Sequence, residues 1–359
     1  MDLETKLSLV MRPPTIEVLT EQELRELFES NSHPKHYIGF EISGRVHLGT
    51  GLVTSLKIRD LLAAGVKPMV FLADYHAWIN GKLGGDLEAI QRVAKGYFKS
   101  AFVSLGLSED KVRYVLASEL YDSDYWRLVL RAAKDTTINR MRRCVTIMGR
   151  RELEAQDAAT ILYPAMQVAD IFLLDVDIAH AGLDQRKVHV LARELAERWK
   201  RKKPVALHTA LLAGLQGPKR MGFDEREDVD IAISSKMSKS RPETCIYIHD
   251  SEAEIASKIE RAWCPEKVIE NNPIIQLCEL VLFRDDGLRI ERDRKFGGDI
   301  EFDDINALKL AYSEGKLHPL DLKKAVAKKL AELLEPSREY FAKNSELIRQ
   351  VVEAERKAG

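Results

Sequence analysis

The sequence predicts an α/β fold, in which a Rossmann-like parallel sheet is followed by a mostly α-helical second domain. Three observations carry this prediction. Short apolar strands alternate with helical periodicity as far as residue 209, several of these strands end in glycine-containing or polar turns, and the periodicity becomes mainly helical after Pro242. A chain of 359 residues has room for two such domains.

The N-terminal elements follow from capping signals and periodicity. The first 35 residues are mostly polar and are predicted to form a helical lead-in, with Thr20 and Glu23 in a capping box. A strand at Tyr37, a helix ending near Gly65 and a strand at 68–74 form a βαβ unit, so the two strands should be parallel. Further strands are predicted at 112–117, 176–181 and 205–209, with helices at 86–105, at 122–158, from Pro164 onward and at 184–198.

The second half of the chain is predicted to be mainly helical. Ser251 and Glu254 are predicted to form a capping box, and Asn272-Pro273 opens another helix that runs to Phe283. A small β-like piece is expected between residues 288 and 302. Three more helices are expected near residues 305–314, 320–334 and 337–357.

Composition limits the function classes. No apolar run approaches the roughly 20 residues that span a bilayer, and the N-terminus lacks a basic start followed by an apolar stretch, so we expect a cytoplasmic protein without a membrane partner. The net charge of −1 means that a polyanion would be met by local basic patches. Neither a disulfide framework nor a metal site is expected, because the cysteines are scattered: Cys144, Cys245, Cys264 and Cys278.

The turn after the first predicted parallel strand is suited to a phosphate chain. Gly44, His47 and Gly49 lie between that strand and the next helix, where free backbone N–H groups and the helix dipole favour an anion. Glycines allow close approach of a ligand, and His47 can donate a hydrogen bond to a phosphate oxygen. Taken alone, the pattern fits a surface or packing histidine better.

A second candidate site lies on the helix that is predicted to begin at Pro164. Tyr163, Gln167 and Asp170 then share one face, so a hydroxyl, an amide and a carboxylate converge. Spacing alone favours a polar stripe that faces water. Apolar residues directly after Asp170 indicate a largely buried helix, which raises the cost of leaving this carboxylate without a partner.

A lysine-containing loop near the end of the predicted sheet domain completes a recognisable pair of motifs. Lys236 and Lys239 lie in Ser234-Ser235-Lys236-Met237-Ser238-Lys239-Ser240, and two flexible cations there can close over a leaving phosphate. With His47-Leu48-Gly49, this loop resembles the paired signatures of class I aminoacyl-tRNA synthetases. Four motifs resemble the tyrosyl-tRNA synthetase family of archaeal and eukaryotic type: Tyr37-Ile38-Gly39-Phe40-Glu41, Tyr163 through Asp170, Gln185-Arg186-Lys187 and Lys295-Phe296-Gly297-Gly298-Asp299.

The resemblance implies ATP-dependent activation of L-tyrosine to a tyrosyl-adenylate and its transfer to tRNA(Tyr), with Mg²⁺ accompanying ATP as substrate. It implies no protein-bound metal. His47, Lys236 and Lys239 are the implied catalytic residues. The residues implied for ATP are Gly44, His47, Gly49, Thr50, Lys236, Ser238 and Lys239; for tyrosine, Tyr37, Tyr163, Gln167, Asp170 and Gln185; and for tRNA, Arg143, Arg186, Phe296, His318 and Asp321.

The resemblance also implies a domain organisation. After the lead-in at 1–35, residues 36–230 would form the catalytic domain with a basic helical insertion near 122–158. Residues 231–243 would carry the Lys-Met-Ser-Lys-Ser loop, and residues 244–359 would form the anticodon-binding domain. The family further implies a homodimer, formed through the insertion.

Two alternatives remain at the level of sequence. A tryptophanyl-tRNA synthetase shares both signatures, although the Tyr37 and Asp170 pair suits a phenol, which both donates and accepts. A non-catalytic RNA-binding relative is conceivable because Thr50 stands where the family usually has a second histidine. The intact lysine loop argues against such an inactive relative.

Overall fold

The chain forms two compact units in a computed structural model that describes residues 1–149, 157–284 and 287–358. The first unit comprises Met1–Arg45, Lys57–Ala210 and the chain from Glu346 onward. The second comprises Val46–Leu56 and Leu211–Ser345. His47 and Gly49 of the phosphate-suited turn therefore belong to the same unit as the lysine loop, although almost two hundred residues separate them in the chain, whereas Gly44 belongs to the first unit.

The first unit is built on a six-stranded, mostly parallel sheet, as predicted. Its strand order is β1-β6-β5-β2-β3-β4, and only β1 runs antiparallel to its neighbour, β6. The strands are β1 (Thr15–Leu19), β2 (Lys35–Glu41), β3 (Lys67–Ala73), β4 (Arg113–Leu116), β5 (Ile178–Gly182) and β6 (Val205–Thr209). Strand β1 was not predicted, because an edge strand that is half exposed lacks the apolar run of a buried one.

The helices of the N-terminal half agree with the predicted alternation of strands and helices. Thr20 and Glu23 form the predicted capping box. These helices are α1 (Leu3–Met11), α2 (Glu21–Ser30), α3 (Thr54–Ala63), α4 (Asp74–Ile79), α5 (Leu87–Val93), α6 (Lys99–Ser104), α7 (Ser123–Lys134), α8 (Ile138–Cys144), α9 (Ala158–Leu173) and α10 (Arg186–Trp199). Of the predicted helical insertion near 122–158, residues 150–156 lie outside the described part of the chain.

Helix α9 begins earlier than predicted. Asp157 caps it by accepting a hydrogen bond from the Thr160 N–H at 2.7 Å, so Pro164 lies inside the helix and not at its first position. The pyrrolidine nitrogen cannot donate to a carbonyl one turn earlier. The prediction of Pro164 as a helix start was therefore wrong, but Tyr163, Gln167 and Asp170 still share one face.

The second half of the chain contains the predicted capping box of Ser251 and Glu254 and a small antiparallel sheet of β7 (Leu288–Ile290) and β8 (Ile300–Phe302). Its helices are α11 (Glu227–Ser235), α12 (Glu252–Glu260), α13 (Pro273–Leu277), α14 (Ile305–Ser313), α15 (Pro319–Lys343) and α16 (Ser345–Ala358). The predicted break near Pro336 is absent, since α15 continues through it with Ser337 and Phe341 buried. No helix among the described residues has both the length and the apolar character needed to cross a bilayer.

The C-terminal helix α16 packs within the first unit. Glu355 accepts hydrogen bonds from the backbone N–H of Arg45 at 2.7 Å and from its Nε at 2.8 Å. Gly44 has a positive φ of 113°, and a Cβ there would lie 2.3 Å from the Glu355 carboxylate. A glycine is therefore required at position 44 both by its backbone conformation and by this close contact.

A pair of buried histidines makes the stability of this unit dependent on pH. The Nε2 of His36 on β2 lies 3.0 Å from the Nδ1 of His180 on β5, and both rings are fully buried. Burial lowers the pKa of His36 to about 3 and lowers that of His180 well below its usual 6.5. The folded chain thus keeps both rings neutral.

We expect the free energy of unfolding to fall as the pH drops from 7 to 5. Because the folded-state pKa values are depressed, the unfolded chain binds more protons below its histidine pKa of about 6.5, at a cost of about 1.4 kcal/mol per pH unit for each such ring. Urea denaturation across this range measures the slope. The His36→Asn variant should show a shallower slope than wild type, whereas substitution of the exposed His33 by asparagine should not; equal slopes in all three proteins would contradict this explanation.

Candidate active site

Asp170 is the centre of a buried polar cluster at the carboxyl ends of the strands in the first unit. The Tyr121 hydroxyl donates a hydrogen bond to its Oδ1 at 2.8 Å. His76 Nε2 lies 3.5 Å from Oδ2, near the limit of a hydrogen bond. The cluster combines residues from three separate parts of the chain. Asp170 lies on α9, His76 lies on α4 after β3, and Tyr121 lies between β4 and α7.

The predicted face of α9 meets β2 in the same cluster. Burial raises the pKa of the Tyr37 phenol on β2, and Asp170 and Gln167 of α9 both act on that phenol. The Tyr163 hydroxyl donates to Glu41 Oε1 at 2.5 Å, and its ring meets the edge of His76 with centroids 4.6 Å apart. The structure thus brings together Tyr37, Tyr163, Gln167 and Asp170, four of the five residues predicted to bind tyrosine.

Burial dominates the electrostatics of this cluster. It raises the pKa of Asp170 well above its usual 3.8, while the hydroxyls of Tyr121 and Tyr125 act in the opposite direction. Burial and the nearby carboxylates also raise the pKa of Tyr37 and Tyr163, so both phenols stay neutral donors. A buried carboxylate surrounded by neutral donors is suited to accept a hydrogen bond from a ligand that carries a hydroxyl or an N–H group.

Gln185 and Arg186, both predicted site residues, lie at the end of β5 and already have partners. Gln185 Nε2 donates to the Ile147 carbonyl at 2.9 Å. The Arg186 Nε donates to both carboxylate oxygens of Glu17 at 2.8 and 2.9 Å. Glu17 in turn lies 2.7 Å from His208 Nδ1, so the unpredicted strand β1 holds the guanidinium of Arg186 against the sheet edge.

In the second unit, His47 and Thr50 contact each other at the start of the turn that leads into α3. The Thr50 N–H donates to His47 Nδ1 at 3.4 Å, and Thr50 Oγ1 lies 3.3 Å from His47 Nε2. Since a backbone N–H can only donate, Nδ1 accepts and Nε2 carries the hydrogen of the neutral ring. The Thr50 hydroxyl therefore accepts from His47, which leaves its own hydrogen free to donate to a ligand.

Gly49 fits this turn because of its small size. A Cβ at this position would lie 3.3 Å from the His47 ring and 3.3 Å from the Leu212 side chain. The turn from Gly49 to Val53 is a π-helical segment that continues directly into α3. At its start, the N–H groups of Thr50 and Gly51 donate to His47 Nδ1 at 3.4 Å and to the His47 carbonyl at 2.7 Å, so an anion-binding helix end stays a prediction.

The lysine loop lies in the same unit as His47 and acts on it electrostatically. Lys236 is exposed and Lys239 is partly buried, whereas Met237 between them is 1% exposed and donates its N–H to the Leu212 carbonyl at 2.7 Å. Burial, reinforced by the charges of Lys239 and Lys236, lowers the pKa of His47 well below 6.5. A neutral histidine and two lysines at one place provide donors and positive charge for phosphate oxygens.

Helix α11, which was not predicted, precedes the lysine loop. The buried Asp230 on this helix accepts hydrogen bonds from the N–H groups of Gly222 and Phe223 at 3.1 and 2.8 Å. Ser235 accepts another from the Lys219 N–H at 2.8 Å. The backbone N–H groups of the loop that leads to α11 thus hydrogen-bond side chains of that helix.

The residues predicted to meet tRNA are partly described. Arg143 is exposed at the end of α8. His318 caps α15, accepting from the Leu320 N–H at 3.2 Å, and Asp321 lies in the first turn of that helix. The side chain of Phe296 lies outside the described part of the structure. Arg292 donates hydrogen bonds to the carbonyls of Gly298 and Lys316. It thereby connects the backbone segment that contains Phe296 to the residues just before α15.

Three residues of the polar cluster were missed as site residues. Glu41 is the last residue of β2, while His76 and Tyr121 follow β3 and β4. Ligands of parallel sheets collect at these strand ends, so the positions of the three residues were a usable signal. Their contacts with Tyr163 and Asp170 could not be predicted from the sequence, because they join residues that lie on different elements. Among the described residues, no group of three or more His, Cys, Asp or Glu side chains could hold a metal ion.

Comparison with known proteins identifies relatives along nearly the whole chain. Residues 29–335 match the family model described as tRNA synthetases class I (W and Y). A tyrosine--tRNA ligase from Thermococcus sibiricus is 50% identical over 96% of this chain and 97% of its own length. One from Sulfolobus acidocaldarius is 46% identical over 97% of each chain.

Solved structures agree with these relatives. The structure of tyrosyl-tRNA synthetase complexed with L-tyrosine from Pyrococcus horikoshii has a TM-score of 0.92 and 47% identity, and covers 98% of this chain and 100% of its own. A tryptophanyl-tRNA synthetase from Aeropyrum pernix has a TM-score of 0.68 at 19% identity over 92% of this chain and 84% of its own. At that identity the second likeness extends to the fold alone.

Proposed function

Because the chain belongs to the class I tRNA synthetases of the tryptophan and tyrosine group, we propose roles for its polar clusters in the reaction of that family. The chain catalyses ATP-dependent activation of L-tyrosine and the transfer of the tyrosyl group to tRNA(Tyr). The observation that carries the assignment of the amino-acid site is the buried Asp170 carboxylate, which lies among neutral phenol donors. Such a carboxylate favours a ligand with a hydroxyl group of its own.

In the proposed tyrosine site, the substrate phenol hydrogen-bonds Asp170 and Tyr37. The amino group is bound by Tyr163, Gln167 and Gln185. Burial of Asp170 and the neutral state of the Tyr37 phenol support this division, since the carboxylate can accept from the phenol while Tyr37 can donate to it. Phenylalanine would leave Asp170 without that donor, and an unsatisfied buried carboxylate is costly.

In the proposed ATP site, His47, Gly49, Thr50, Ser238 and the two loop lysines bind the phosphates of ATP with its Mg²⁺. The carboxylate of tyrosine attacks the α-phosphate, and pyrophosphate leaves with the electrons of the bond that breaks. Lys236 and Lys239 neutralise charge on the leaving group, while neutral His47 can turn its single N–H from the Thr50 hydroxyl to a phosphate oxygen. Gly44, which precedes the turn, keeps its predicted role in ATP binding as part of the same proposal.

For tRNA, we propose that Arg143 and Arg186 contact the first base pair of the acceptor stem. Phe296 would stack on the first anticodon base, and His318 and Asp321 would read it. The contact of Arg292 with Gly298 and Lys316 supports the second assignment, since it connects the Phe296 segment to the start of α15. We also propose that residues 36–230 carry catalysis, that residues 244–359 bind the anticodon, and that the enzyme acts in the cytoplasm, where charged tRNA is used.

We further propose that two copies of the chain associate through α7 and α8. Three large apolar side chains are exposed there: Trp126 by 41%, Leu130 by 65% and Ile138 by 65%. Exposed apolar side chains that lie close together in the chain are a feature of subunit interfaces.

The Leu130→Glu variant is expected to be monomeric, because it introduces a charge into the apolar contact. Sedimentation velocity at micromolar concentration distinguishes the two states. Leu310→Glu is the matched control, since Leu310 is 59% exposed on α14, away from this surface in the sequence, and this variant should remain dimeric. A monomeric wild type, or a dimeric Leu130→Glu variant, would contradict the proposed interface.

Charging of tRNA transcripts tests the proposed function as a whole. The purified chain is incubated with ATP, Mg²⁺ and radiolabelled tyrosine, together with either tRNA(Tyr) or tRNA(Trp). Labelled aminoacyl-tRNA is expected with tRNA(Tyr) alone. Charging of tRNA(Trp) with tryptophan in a parallel reaction, but not of tRNA(Tyr) with tyrosine, would refute the assignment.

A further inference from the structure

Tyr121 is held in place by its neighbours more tightly than the hydrogen bond to Asp170 alone requires. Its ring stacks on Tyr125 with centroids 3.6 Å apart and an interplanar angle of 6°. It also stacks on Tyr75, with centroids 5.7 Å apart and an interplanar angle of 18°. A ring that stacks on two nearly parallel neighbours has little freedom to tilt, so the position of its hydroxyl oxygen is fixed.

The hydroxyl of Tyr121 contacts one of the two oxygens of the Asp170 carboxylate and leaves the other to different partners. It donates to Oδ1 at 2.8 Å, while its own oxygen lies 3.5 Å from His76 Nδ1. Among the described residues, the other carboxylate oxygen, Oδ2, lies 3.5 Å from His76 Nε2, which is a long contact. One oxygen is therefore engaged by a fixed donor, and the other retains accepting capacity within the buried cluster.

We propose that Tyr121 is a positioning residue that determines specificity, because it fixes the Asp170 carboxylate so that Oδ2 accepts the phenol of the substrate. This inference rests on the tyrosine site of the proposed function. A carboxylate can rotate about the bond to its Cβ, and a rotated carboxylate would present its oxygens poorly to a phenol. The fixed donor at Oδ1 removes that freedom before the substrate arrives, in the way that supporting hydrogen bonds orient a functional group.

A competing explanation makes the opposite prediction. If the Tyr121 hydroxyl occupied the place that the substrate phenol takes, tyrosine would have to displace it on binding. Removing the hydroxyl would then improve tyrosine binding. The division of the carboxylate between Oδ1 and Oδ2 favours the first explanation, because the two donors then use different oxygens.

The Tyr121→Phe variant tests the inference, with pyrophosphate exchange measured separately for tyrosine and for phenylalanine. The variant keeps the stacked ring and removes only the hydroxyl. We expect kcat/KM for tyrosine to fall roughly 10- to 100-fold, while kcat/KM for phenylalanine stays within about threefold of wild type. The ratio of kcat/KM for tyrosine to kcat/KM for phenylalanine should therefore fall by the same factor as kcat/KM for tyrosine. A loss of folded protein cannot produce this result, because it lowers the two kcat/KM values equally.

Tyr75→Phe is the matched control, since it makes the same chemical change on the ring that stacks on Tyr121. Its ratio should equal that of wild type. Tyr121→His keeps a flat ring with an N–H donor, so its tyrosine-to-phenylalanine ratio of kcat/KM is expected to be higher than that of Tyr121→Phe. This variant replaces Tyr121→Phe in the test if the latter is poorly folded. An unchanged ratio in Tyr121→Phe, or a lower KM for tyrosine, would overturn the inference, whereas absence of tyrosine-dependent exchange in wild type would overturn the proposed function itself.

Discussion

Replacing Lys236 by alanine is expected to lower kcat for tyrosine-dependent pyrophosphate exchange by about 100- to 1,000-fold, with a much smaller change in KM for tyrosine. The reason is that removal of one preorganised donor at a site of developing charge typically costs that much in the rate of the chemical step. Lys236 is exposed, but the buried Met237 beside it and the bridge between Ala213 and Lys236 fix the loop backbone. The backbone from which the flexible Lys236 side chain extends is therefore held at a defined place.

Lys219→Ala provides the matched control for this experiment. It removes the same charge from the loop that precedes α11, where the Lys219 backbone, and not its side chain, contacts Ser235. Its kcat should stay within about threefold of wild type. A Lys236→Ala variant that changed only KM for ATP would show that the lysine binds the ground state and the transition state equally, contrary to the role proposed here.

The Asp170→Asn variant is expected to lose roughly 10- to 150-fold in kcat/KM for tyrosine, corresponding to about 1.5–3 kcal/mol for a hydrogen bond to a charged group. The substitution keeps the shape of the side chain and replaces one oxygen that can accept from the substrate phenol by an amide group that only donates. Phenylalanine makes no such hydrogen bond, so its kcat/KM should change little. Discrimination against phenylalanine, for which enzymes of this specificity are the known case at about 10⁵-fold, should therefore decline.

Asp175→Asn is the control for that change, because Asp175 follows the same helix, α9, but is 63% exposed and paired with lysines at the surface. Exchange with tyrosine should be unaffected. If Asp170→Asn kept the full tyrosine-to-phenylalanine ratio, the carboxylate would not be the group that recognises the phenol.

Much of the fold could be predicted because local signals decide it. The capping boxes at Thr20 and Ser251 and the alternation of strands with helices depend on residues close together in the chain, and the structure confirms them. Strand β1 escaped prediction because it depends on a distant partner, whereas helix α11 begins after Arg226 without a side-chain cap that would mark its start. The first pairs with β6, and the second carries Asp230, whose carboxylate is satisfied by the backbone of the preceding loop.

The residues of the candidate site likewise fall into those that local spacing could group and those that only the fold brings together. Tyr163, Gln167 and Asp170 could be grouped from their spacing on one helix, even though the predicted helix start at Pro164 was wrong. Tyr121 could not, because its hydrogen bond to Asp170 joins residues 49 positions apart. Likewise, the contact between Thr50 and His47, which gives the unusual threonine a partner, depends on the geometry of the π-helical turn.

The central claim is that the buried cluster around Asp170 selects tyrosine for activation by ATP. Amino-acid-dependent exchange of pyrophosphate into ATP measures this step directly, with tyrosine, phenylalanine and tryptophan supplied separately to the wild-type chain. We expect rapid exchange with tyrosine and, at equal concentrations, exchange with the other two that is lower by several orders of magnitude. Preferred exchange with tryptophan, or no exchange with any of the three amino acids, would contradict the claim.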